Sequence, residues 1–345
     1  MSNSTGPLRP SPISATVDFE AGGVQHGFLK LPVSNDESAW GAVMIPVTVV
    51  KNGEGPTALL TGGNHGDEYE GITALHKLSS RLRAEDVQGR VIIVPMMNTP
   101  ACMAGRRTSP MDAGNAGNLN RSFPGDPDGN VTEKIADYFT RVMVPMSDVV
   151  LDLHSGGRTL DIIPFAASHV LDDAEQQRSA LEGAKAFGAP YAIMMFELDA
   201  AALFDTAVER QGKIFVATEL GGGGTSTPQS LAITERGIDN FLIHYGLVEG
   251  EVEMPAEPQA YLDMPDASCY VQSEHTGLLE LTLALGDTVT QGDVIARVYD
   301  MTRSGVAPIE YRAQRDGVLA ARRFPSSVNM GDTIAVIAEV VESLG

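Results

Sequence analysis

Residues 59–71 read LLTGGNHGDEYEG, and this stretch decides how the rest of the chain is interpreted. A short apolar run breaks at two glycines, and His65 and Glu68 follow three residues apart. Apolar residues then recur at steps of three and four over 69–84, which predicts a helix. We therefore expect His65 and Glu68 where a buried strand turns into a helix, at the carboxyl end of the strand. If both lie in the first helical turn, they project from the same side and can bind one ion. The plainer explanation of the pair is a polar helix start, with Glu68 at the positive end of the helix dipole.

Similar apolar runs and helical patterns alternate along the chain as far as residue 248. The further predicted strands are 89–98, 148–154, 162–167, 191–198 and 213–220. The further predicted helices are 131–146, with Thr132 as its N-cap, 172–187, 199–211 and 228–245. This alternation is typical of a mostly parallel sheet covered by helices on both faces. We interpret residues 57–248 as one catalytic domain of the α/β class, whose ligands would bind at the carboxyl ends of its strands. Between its regular elements, residues 101–128 have no periodicity and predict a long loop, which in a compact domain is usually functional or disordered.

The two ends of the chain differ from this central unit. Residues 1–56 predict short strands at 15–19, 27–31 and 42–50, which we interpret as an N-terminal β extension packed on the catalytic domain. Residues 249–266 are rich in acidic residues and proline and are interpreted as a linker. Residues 267–345 predict short alternating strands separated by Gly-Asp turns, and therefore a small all-β domain. Part of it, LALGDTVTQGDVIARVYD, resembles the barrel-sandwich modules of lipoyl and biotinyl carriers, but no lysine follows Lys213, which excludes carrier function.

The composition narrows the class of protein. The 345 residues include 45 Asp and Glu against 24 Lys and Arg, a formal charge of −21, which disfavours a nucleic-acid partner. No apolar stretch is long enough to cross a membrane, and the N-terminus lacks the apolar region of a signal peptide. The two cysteines, Cys102 and Cys269, are too far apart in sequence to indicate a disulfide framework. We expect a cytoplasmic protein with no membrane partner.

Polar residues stand at the ends of several predicted strands, and they would meet at one edge of the sheet. The strand 148–154 ends at His154, which alone would be explained as an ordinary histidine at a sheet edge. Together with His65 and Glu68, however, it makes a set of two histidines and one carboxylate, the ligand pattern of catalytic zinc. Asp152, two residues before His154, is a candidate for orienting that histidine.

Glu219 and an arginine-containing loop complete the candidate site. Glu219 ends the strand 213–220 and could serve as a general base, although a solvated glutamate at a strand end is the plainer explanation. Arg106, Arg107 and Arg121 lie in the irregular loop. In so acidic a chain they indicate an anion site, because guanidinium binds carboxylates through two hydrogen bonds. The alternative is ordinary surface arginines paired with Asp112 or Asp126.

Four motifs carry a resemblance to a known family: GGNHGDEYEG, NLNRSFPG, LDLHSGG and the Glu219 strand. In this order they resemble the succinylglutamate desuccinylase/aspartoacylase family of zinc enzymes, which is related to the zinc carboxypeptidases. The resemblance spans 57–248 and extends to the C-terminal β domain. It implies a carboxypeptidase-like mixed sheet flanked by helices and one Zn²⁺ per subunit on His65, Glu68 and His154.

The same resemblance implies roles for the other site residues. Glu219 would be the general base and later the proton donor, and Asn120 with Arg121 would hold the carboxylate of the substrate. Arg107 would polarise the amide carbonyl, with Arg106 as a rival because the loop is lengthened by MDAGNAG. Arg210 is a weaker candidate for a substrate contact. The family's late tyrosine could be any of four residues, which are Tyr261, Tyr270, Tyr299 and Tyr311.

The activity implied by the resemblance is hydrolysis of the amide bond of a small N-acyl amino acid. The motifs RTSP and TELGGGG are most similar to those of family members that deacetylate N2-acetyl-2,4-diaminobutyrate in ectoine degradation, which suits the acidic composition. One alternative is another acyl specificity, such as a succinyl or aspartate substrate or a peptide. The other is a metal-free binding homologue without activity. The sequence does not reveal the oligomeric state, for which a homodimer is our expectation.

Overall fold

The computed structural model describes residues 9–36, 38–195 and 202–344. The predicted end of one strand, at 196–198, and the predicted start of the next helix, at 199–201, lie outside the described residues. No helix within the described ranges is long and apolar enough to cross a membrane.

The regular elements of the described ranges are strands and α-helices, named here in chain order. The helices are α1 (Tyr69–Arg81), α2 (Thr99–Ala104), α3 (Val131–Tyr138), α4 (Ala174–Phe187), α5 (Phe204–Glu209) and α6 (Pro228–His244). The strands are β1 (Ser14–Ala15), β2 (Gly23–Asn35), β3 (Ser38–Asn52), β4 (Thr57–Gly62), β5 (Gly89–Val94), β6 (Val149–His154), β7 (Leu160–Ile162), β8 (Phe165–His169), β9 (Tyr191–Met195), β10 (Ile214–Glu219), β11 (Ala260–Asp263), β12 (Tyr270–Gln272), β13 (Gly277–Leu281), β14 (Thr288–Val289), β15 (Val294–Tyr299), β16 (Ile309–Arg312), β17 (Gly317–Arg323), β18 (Ser327–Val328) and β19 (Thr333–Val341).

Most strands belong to one large mixed sheet. Its order is β1-β2-β3-β5-β4-β6-β10-β8-β9-β11-β19-β17-β14, with β12 paired to β19 and β7 to β17. At its centre β5, β4, β6 and β10 run parallel to one another, so their carboxyl ends share an edge. Next to them β8 runs antiparallel to β10, and β3 antiparallel to β5. The predicted α/β fold with a mixed sheet is confirmed.

The central strands form because their apolar runs can be buried on both faces. Every residue of β4 and β5 is buried, and adjacent residues of β4 contribute to opposite cores. Leu59 packs with residues of α3, α5 and the β2–β3 hairpin, whereas Leu60 packs with residues of α1, α4 and α6. Helices therefore cover both faces of the central sheet, and the ends of its parallel strands are held rigidly at one edge.

A second, four-stranded antiparallel sheet lies in the C-terminal part, in the order β16-β15-β13-β18. Leu279 and Ile295 from this sheet share a buried core with Leu319 and Ile337 from β17 and β19 of the large sheet. Two sheets face each other across that core, which confirms the predicted additional β unit.

The predicted linker 249–266 is not irregular throughout. Its strand β11 pairs parallel with β9 and antiparallel with β19, and Leu262 lies opposite both Ile193 and Val340. Leu262 is buried, so this one apolar side chain anchors the segment between two long-range partners. The large sheet thus continues from the central strands into the C-terminal strands. The division into segments 1–56, 57–248, 249–266 and 267–345 stays a prediction about folding units.

Three predictions of local structure were wrong. The strand 15–19 is reduced to β1, which pairs with Leu29 and Lys30 of β2. The strand 162–167 is two strands, because Ile163 and Pro164 separate β7 from β8 and proline cannot donate to a ladder. The loop 101–128 includes the end of α2 and short 3₁₀ turns at Gly114–Gly117 and Leu119–Arg121.

The helix predicted over 131–146 also differs from the structure. The α-helix ends at Tyr138 and continues as a π turn over Phe139–Met143. Its N-cap is Asn130 rather than Thr132. The Asn130 side chain accepts a hydrogen bond from the Glu133 backbone amide, and the Glu133 side chain accepts one from the Asn130 amide. This reciprocal capping box satisfies two helix-end donors and sets the start of the helix two residues earlier than Thr132 as N-cap would.

Candidate metal centre and active-site cavity

The candidate site lies where the parallel strands β4, β6 and β10 end. His154 is the last residue of β6 and Glu219 the last of β10, and the two are direct partners in the parallel ladder. His65 and Glu68 lie in the loop between β4 and α1, where the strand turns into the helix, and not in the first helical turn itself. Glu68 is the N-cap residue of α1, with extended backbone angles of −105° and 95°. The shared strand edge nevertheless brings the predicted residues together.

Three of these side chains form a buried cluster that can hold a metal ion. Glu68 Oε1 is 2.8 Å from His65 Nδ1, and Glu68 Oε2 is 2.8 Å from His154 Nδ1. One ligand atom from each residue lies within 4.8 Å of the other two. Two imidazole nitrogens and one carboxylate, with a further position open, make the donor set of a catalytic zinc site.

The charges around the cluster suit a bound cation. Burial alone would raise the pKa of Glu68, but His65 and His154 lower it well below its usual range, so the residue is a carboxylate as a ligand must be. Burial lowers the pKa of His65, which favours the neutral imidazole that a metal ligand requires. Burial would also lower the pKa of His154, yet Asp152 and Glu68 raise it well above the ordinary value. The pocket between these side chains therefore attracts positive charge strongly.

Asp152 orients His154, as the sequence suggested. His154 Nε2 donates to Asp152 Oδ2 at 2.8 Å, which leaves Nδ1 facing Glu68. Asp152 also accepts from Thr61 Oγ1 at 2.7 Å and from Asn64 Nδ2 at 3.2 Å. Both of its oxygens are thus held by partners on the neighbouring strand and loop. The imidazole of His154 is fixed in rotation and in tautomer by this contact.

Two residues of the 65–68 loop shape the site without facing it. A Cβ on Gly66 would lie 2.0 Å from the carbonyl carbon of Ala101, so only glycine lets the loop approach α2 this closely. Asp67, to which the sequence assigned no role, accepts a hydrogen bond from the Arg158 backbone amide at 2.9 Å. It thereby ties this loop to the turn that follows His154. Nothing local in the sequence indicates that long-range contact.

Glu219 lies beside the cluster in a buried position. Burial, together with the charge of Glu68, raises the pKa of Glu219 to about 8. Its Oε2 atom has no hydrogen-bond partner among the described residues. A carboxyl group with such a pKa can both accept and return a proton near neutral pH, which is the chemistry of a general acid–base.

The cluster and Glu219 open onto a cavity of about 380 Å³, a size that suits a small-molecule ligand. The C-terminal strands form part of its wall through Ala320, Ala321 and Val336. Large apolar side chains, including Phe165 and Phe215, line another part. The C-terminal strands therefore cover part of the cleft.

Arg107 rather than Arg106 reaches the cavity. Arg107 Nη1 donates to Glu68 Oε1 at 3.3 Å, and the side chain is about half exposed to the cavity and solvent. Arg106 is exposed and is not part of the wall that the described residues form. The geometry thus favours Arg107 over its rival.

Asn120 and Arg121 also line the cavity. Asn120 Oδ1 accepts from the Phe204 backbone amide at 3.0 Å, which leaves its Nδ2 as the donor end. Arg121 is exposed, and its Nη1 donates to the Asn120 carbonyl at 2.6 Å. An amide donor and a guanidinium side by side can bind a carboxylate.

Of the four candidate tyrosines, Tyr270 lines the cavity. The ring of Tyr261 lies 5.1 Å from the Lys185 ammonium, Tyr299 donates to Glu280, and Tyr311 bonds His275. None of these three belongs to the cavity wall formed by the described residues. The weaker candidate Arg210 is exposed at the end of α5 and is likewise not part of that wall.

Sequence reasoning missed two titratable residues of the wall, His169 and Asp205. His169 is the last residue of β8 and contacts Glu209, with 2.7 Å between Nδ1 and Oε1. It ends a strand whose residues are all buried, but β8 runs antiparallel to β10, so the rule that identified His154 would place His169 at the opposite edge of the sheet. Asp205 lies in the short helix α5 and carries no motif, so no sequence signal pointed to it.

Comparison with known proteins gives one family. A family model described as the succinylglutamate desuccinylase/aspartoacylase catalytic domain matches residues 54–245. The N-alpha-acetyl-L-2,4-diaminobutyric acid deacetylase of Halomonas elongata is 91% identical over 345 residues, which is 100% of both chains.

Solved structures agree with this result. A succinylglutamate desuccinylase from Silicibacter sp. TM1040 is 55% identical, with a TM-score of 0.93, over 97% of this chain and 100% of that one. The product-bound structure of the ectoine utilization protein EutE (DoeB) from Ruegeria pomeroyi is 54% identical. Its TM-score is also 0.93, over 96% of this chain and 100% of that one.

Proposed function

The chain belongs to the succinylglutamate desuccinylase/aspartoacylase family, and on this premise we propose that it is a zinc-dependent amide hydrolase. Its substrate is N2-acetyl-L-2,4-diaminobutyrate, and its products are acetate and 2,4-diaminobutyrate, as one step of ectoine degradation. The full-length relative of Halomonas elongata, 91% identical, supports this choice of substrate.

One observation carries the proposal more than any other. The buried set His65, Glu68 and His154 adjoins the buried carboxyl of Glu219, and all four face one small cavity. His65 Nδ1, His154 Nδ1 and a Glu68 oxygen would hold the zinc ion. When bound, zinc supplies a Lewis acid that polarises the amide carbonyl and lowers the pKa of the attacking water.

The protein's own side chains bind the substrate, stabilise the developing charge and transfer the proton. Asn120 and Arg121 bind the α-carboxylate of the substrate and fix the position of its amide bond. Arg107 donates to the carbonyl oxygen and stabilises the negative charge that develops there. Glu219 accepts the proton of the attacking water and returns it to the nitrogen of the leaving amine. The C-terminal strands exclude longer substrates from the cavity.

The role of Glu219 is tested by Glu219→Gln, which keeps the shape of the side chain and removes its basicity. We expect the variant to retain one zinc ion per chain and to lose turnover by about 10²- to 10⁴-fold. Glu54→Gln, at an exposed position outside the cavity wall, is the matched control and should behave as the wild type. Near-normal turnover of the Glu219 variant would refute the assignment.

The acyl specificity needs a separate experiment. Rates on the acetyl, succinyl and formyl derivatives of 2,4-diaminobutyrate compare acyl groups on one amino acid. We expect the acetyl derivative to give the highest kcat/KM. A preference for the succinyl derivative would instead support a desuccinylase on the same scaffold. The homodimer and the cytoplasmic location stay predictions, and sedimentation velocity would check the first.

A further inference from the structure

The cavity wall contains a carboxylate that neither the metal centre nor the general base uses. Four carboxylate residues line the wall among the described residues, namely Glu68, Asp152, Asp205 and Glu219. Glu68 belongs to the metal cluster, Asp152 holds His154, and Glu219 is the proposed base. Asp205, the second residue of α5, has no role in the proposed hydrolysis.

Asp205 has little positive charge to balance it. Its Oδ1 accepts hydrogen bonds from the amide and the hydroxyl of Thr206, the latter at 3.0 Å. Among the described residues the charged groups that affect its pKa are His169 and Glu209, and neither an arginine nor a lysine is among them. A partly buried carboxylate without a cationic partner is costly, and a cationic ligand would offset that cost.

The charged side chains around Asp205 leave this part of the cavity negative. Burial raises the pKa of Asp205, and this effect is larger than that of the His169 charge, which lowers the same pKa. The buried side chain of Glu209 contacts the His169 ring, with 2.7 Å between Glu209 Oε1 and His169 Nδ1. Two carboxylates face one imidazole in this group. Among the described residues the carboxylates of this group outnumber its one imidazole, so a positively charged ligand group fits here.

The position of Asp205 relative to Asn120 suits the proposed substrate. The residue before Asp205, Phe204, donates its backbone amide to Asn120 Oδ1 at 3.0 Å, so the α5 start and the carboxylate-binding residue are joined directly. The α-carboxylate and the side chain of an amino acid diverge from one carbon atom. In 2,4-diaminobutyrate the side-chain ammonium is two methylene groups from that carbon.

From these contacts we propose that Asp205 selects substrates with a positively charged side chain by accepting a hydrogen bond from their ammonium group. The inference rests on the proposed function and adds a specificity-determining residue to it. The competing explanation is purely structural, since a carboxylate in the first turn of α5 also interacts favourably with the helix dipole. Selectivity between matched substrates separates the two explanations, because a structural role affects all substrates alike.

The test compares N2-acetyl-L-2,4-diaminobutyrate with N-acetyl-L-norvaline, which has a methyl group in place of the ammonium. A hydrogen bond to a charged group corresponds to about 10- to 100-fold in kcat/KM, and the wild type should prefer the charged substrate by that factor. Asp205→Asn should lose most of this preference and keep its rate on the norvaline substrate. Asp205→Glu, which retains the charge, should keep part of the preference. Asp172→Asn removes a charge at an exposed position outside the cavity wall and should change neither rate.

Equal losses on both substrates in Asp205→Asn would overturn the proposal, as would a wild type without preference. A crystal structure of the wild type with 2,4-diaminobutyrate requires no variant to fold. It should place the side-chain ammonium within hydrogen-bond distance of the Asp205 carboxylate, and an ammonium bound elsewhere would also overturn the proposal. A wild type that hydrolyses neither substrate contradicts the proposed function, a result distinct from a failure of Asp205 alone.

Discussion

The contact between Asp152 and His154 makes a quantitative prediction about metal affinity. In Asp152→Asn one oxygen becomes an amide nitrogen. Thr61 can accept as well as donate, and its hydroxyl lies 3.4 Å from the Leu151 carbonyl as an alternative acceptor. The amide nitrogen should therefore turn toward Thr61, and the remaining oxygen should stay on His154 Nε2. His154 keeps a hydrogen bond but loses the charge of its partner.

The magnitude follows from the loss of that charge. Hydrogen bonds to charged groups contribute about 1.5–3 kcal/mol, against about 0.5–1.5 kcal/mol for neutral ones. The difference of about 1–1.5 kcal/mol predicts metal binding about tenfold weaker in Asp152→Asn. Asp152→Ala removes the acceptor for His154, Thr61 and Asn64 together, and we expect a loss of about 100-fold.

Metal affinity is measured by competition with a chelator of known affinity, and the melting temperature of each metal-free variant reports on folding. Asp148→Asn is the matched control. Asp148 lies just before the same strand, at its opposite end, and accepts a hydrogen bond from the Thr57 amide at 2.8 Å. It should leave metal affinity unchanged. The reasoning fails if Asp152→Ala binds metal as tightly as the wild type, or if the Asp148 variant loses affinity equally.

Three further predictions concern other parts of the molecule. Arg107→Ala should lower kcat by about 10²- to 10³-fold in steady-state assays, whereas Arg106→Ala should leave kcat unchanged. Similar losses in both variants would contradict the assignment of oxyanion stabilisation to Arg107. Gly66→Ala should lower the melting temperature and the zinc content together, because its Cβ would lie 2.0 Å from the carbonyl carbon of Ala101. Normal zinc content by elemental analysis would contradict the argument that the 65–68 loop needs glycine at this position. The hydrogen bond and charge of Arg90 lower the pKa of Glu20, so this pair stabilises the fold above the ordinary value near 4.5 and ceases to do so as pH falls through the lowered pKa. Denaturant unfolding of the wild type and Glu20→Gln should therefore converge at low pH, and a gap that widens there would reverse the sign.

The candidate site could be predicted because its residues follow strong local signals. The strands β4, β6 and β10 are apolar runs that end abruptly at polar residues, and parallel strands bring such ends to one edge. His154 and Glu219 are neighbours in the ladder for this reason alone, although sixty-five positions separate them in sequence. His169 does not follow this rule, because β8 runs antiparallel to β10 and its end lies toward the start of β10, although the side chain also lines the cavity.

Periodicity predicts a helix from residue 69, where α1 begins, but it does not reveal the path of the loop before it. The loop 65–68 is held in an extended path by its contact with Ala101 and by the hydrogen bond from Arg158 to Asp67. Both partners are distant in sequence, so nothing local excludes His65 and Glu68 from the helix. The consequence for function is favourable, because an extended loop lets Glu68 lie between the two histidines instead of beside one of them.

The C-terminal contribution to the site depends on long-range pairing that a single sequence does not reveal. Strand β11 is recognised only through its partners β9 and β19, and that pairing carries the sheet toward Tyr270 and the cavity. Four tyrosines were equivalent in sequence, and the register of β12 against β19 distinguishes Tyr270 from the rest. The proposed role of Asp205 could not be recognised from the sequence for a similar reason, since it depends on the nearby His169, Glu209 and Asn120.

The most direct test of the proposed function is zinc-dependent release of acetate from N2-acetyl-L-2,4-diaminobutyrate. We predict about one zinc ion per chain in the purified protein, activity that a chelator abolishes, and recovery when zinc is returned. Deacetylation that persists in protein without stoichiometric zinc would contradict the role of His65, Glu68 and His154. Zinc-loaded protein that releases no acetate would contradict the proposed activity itself.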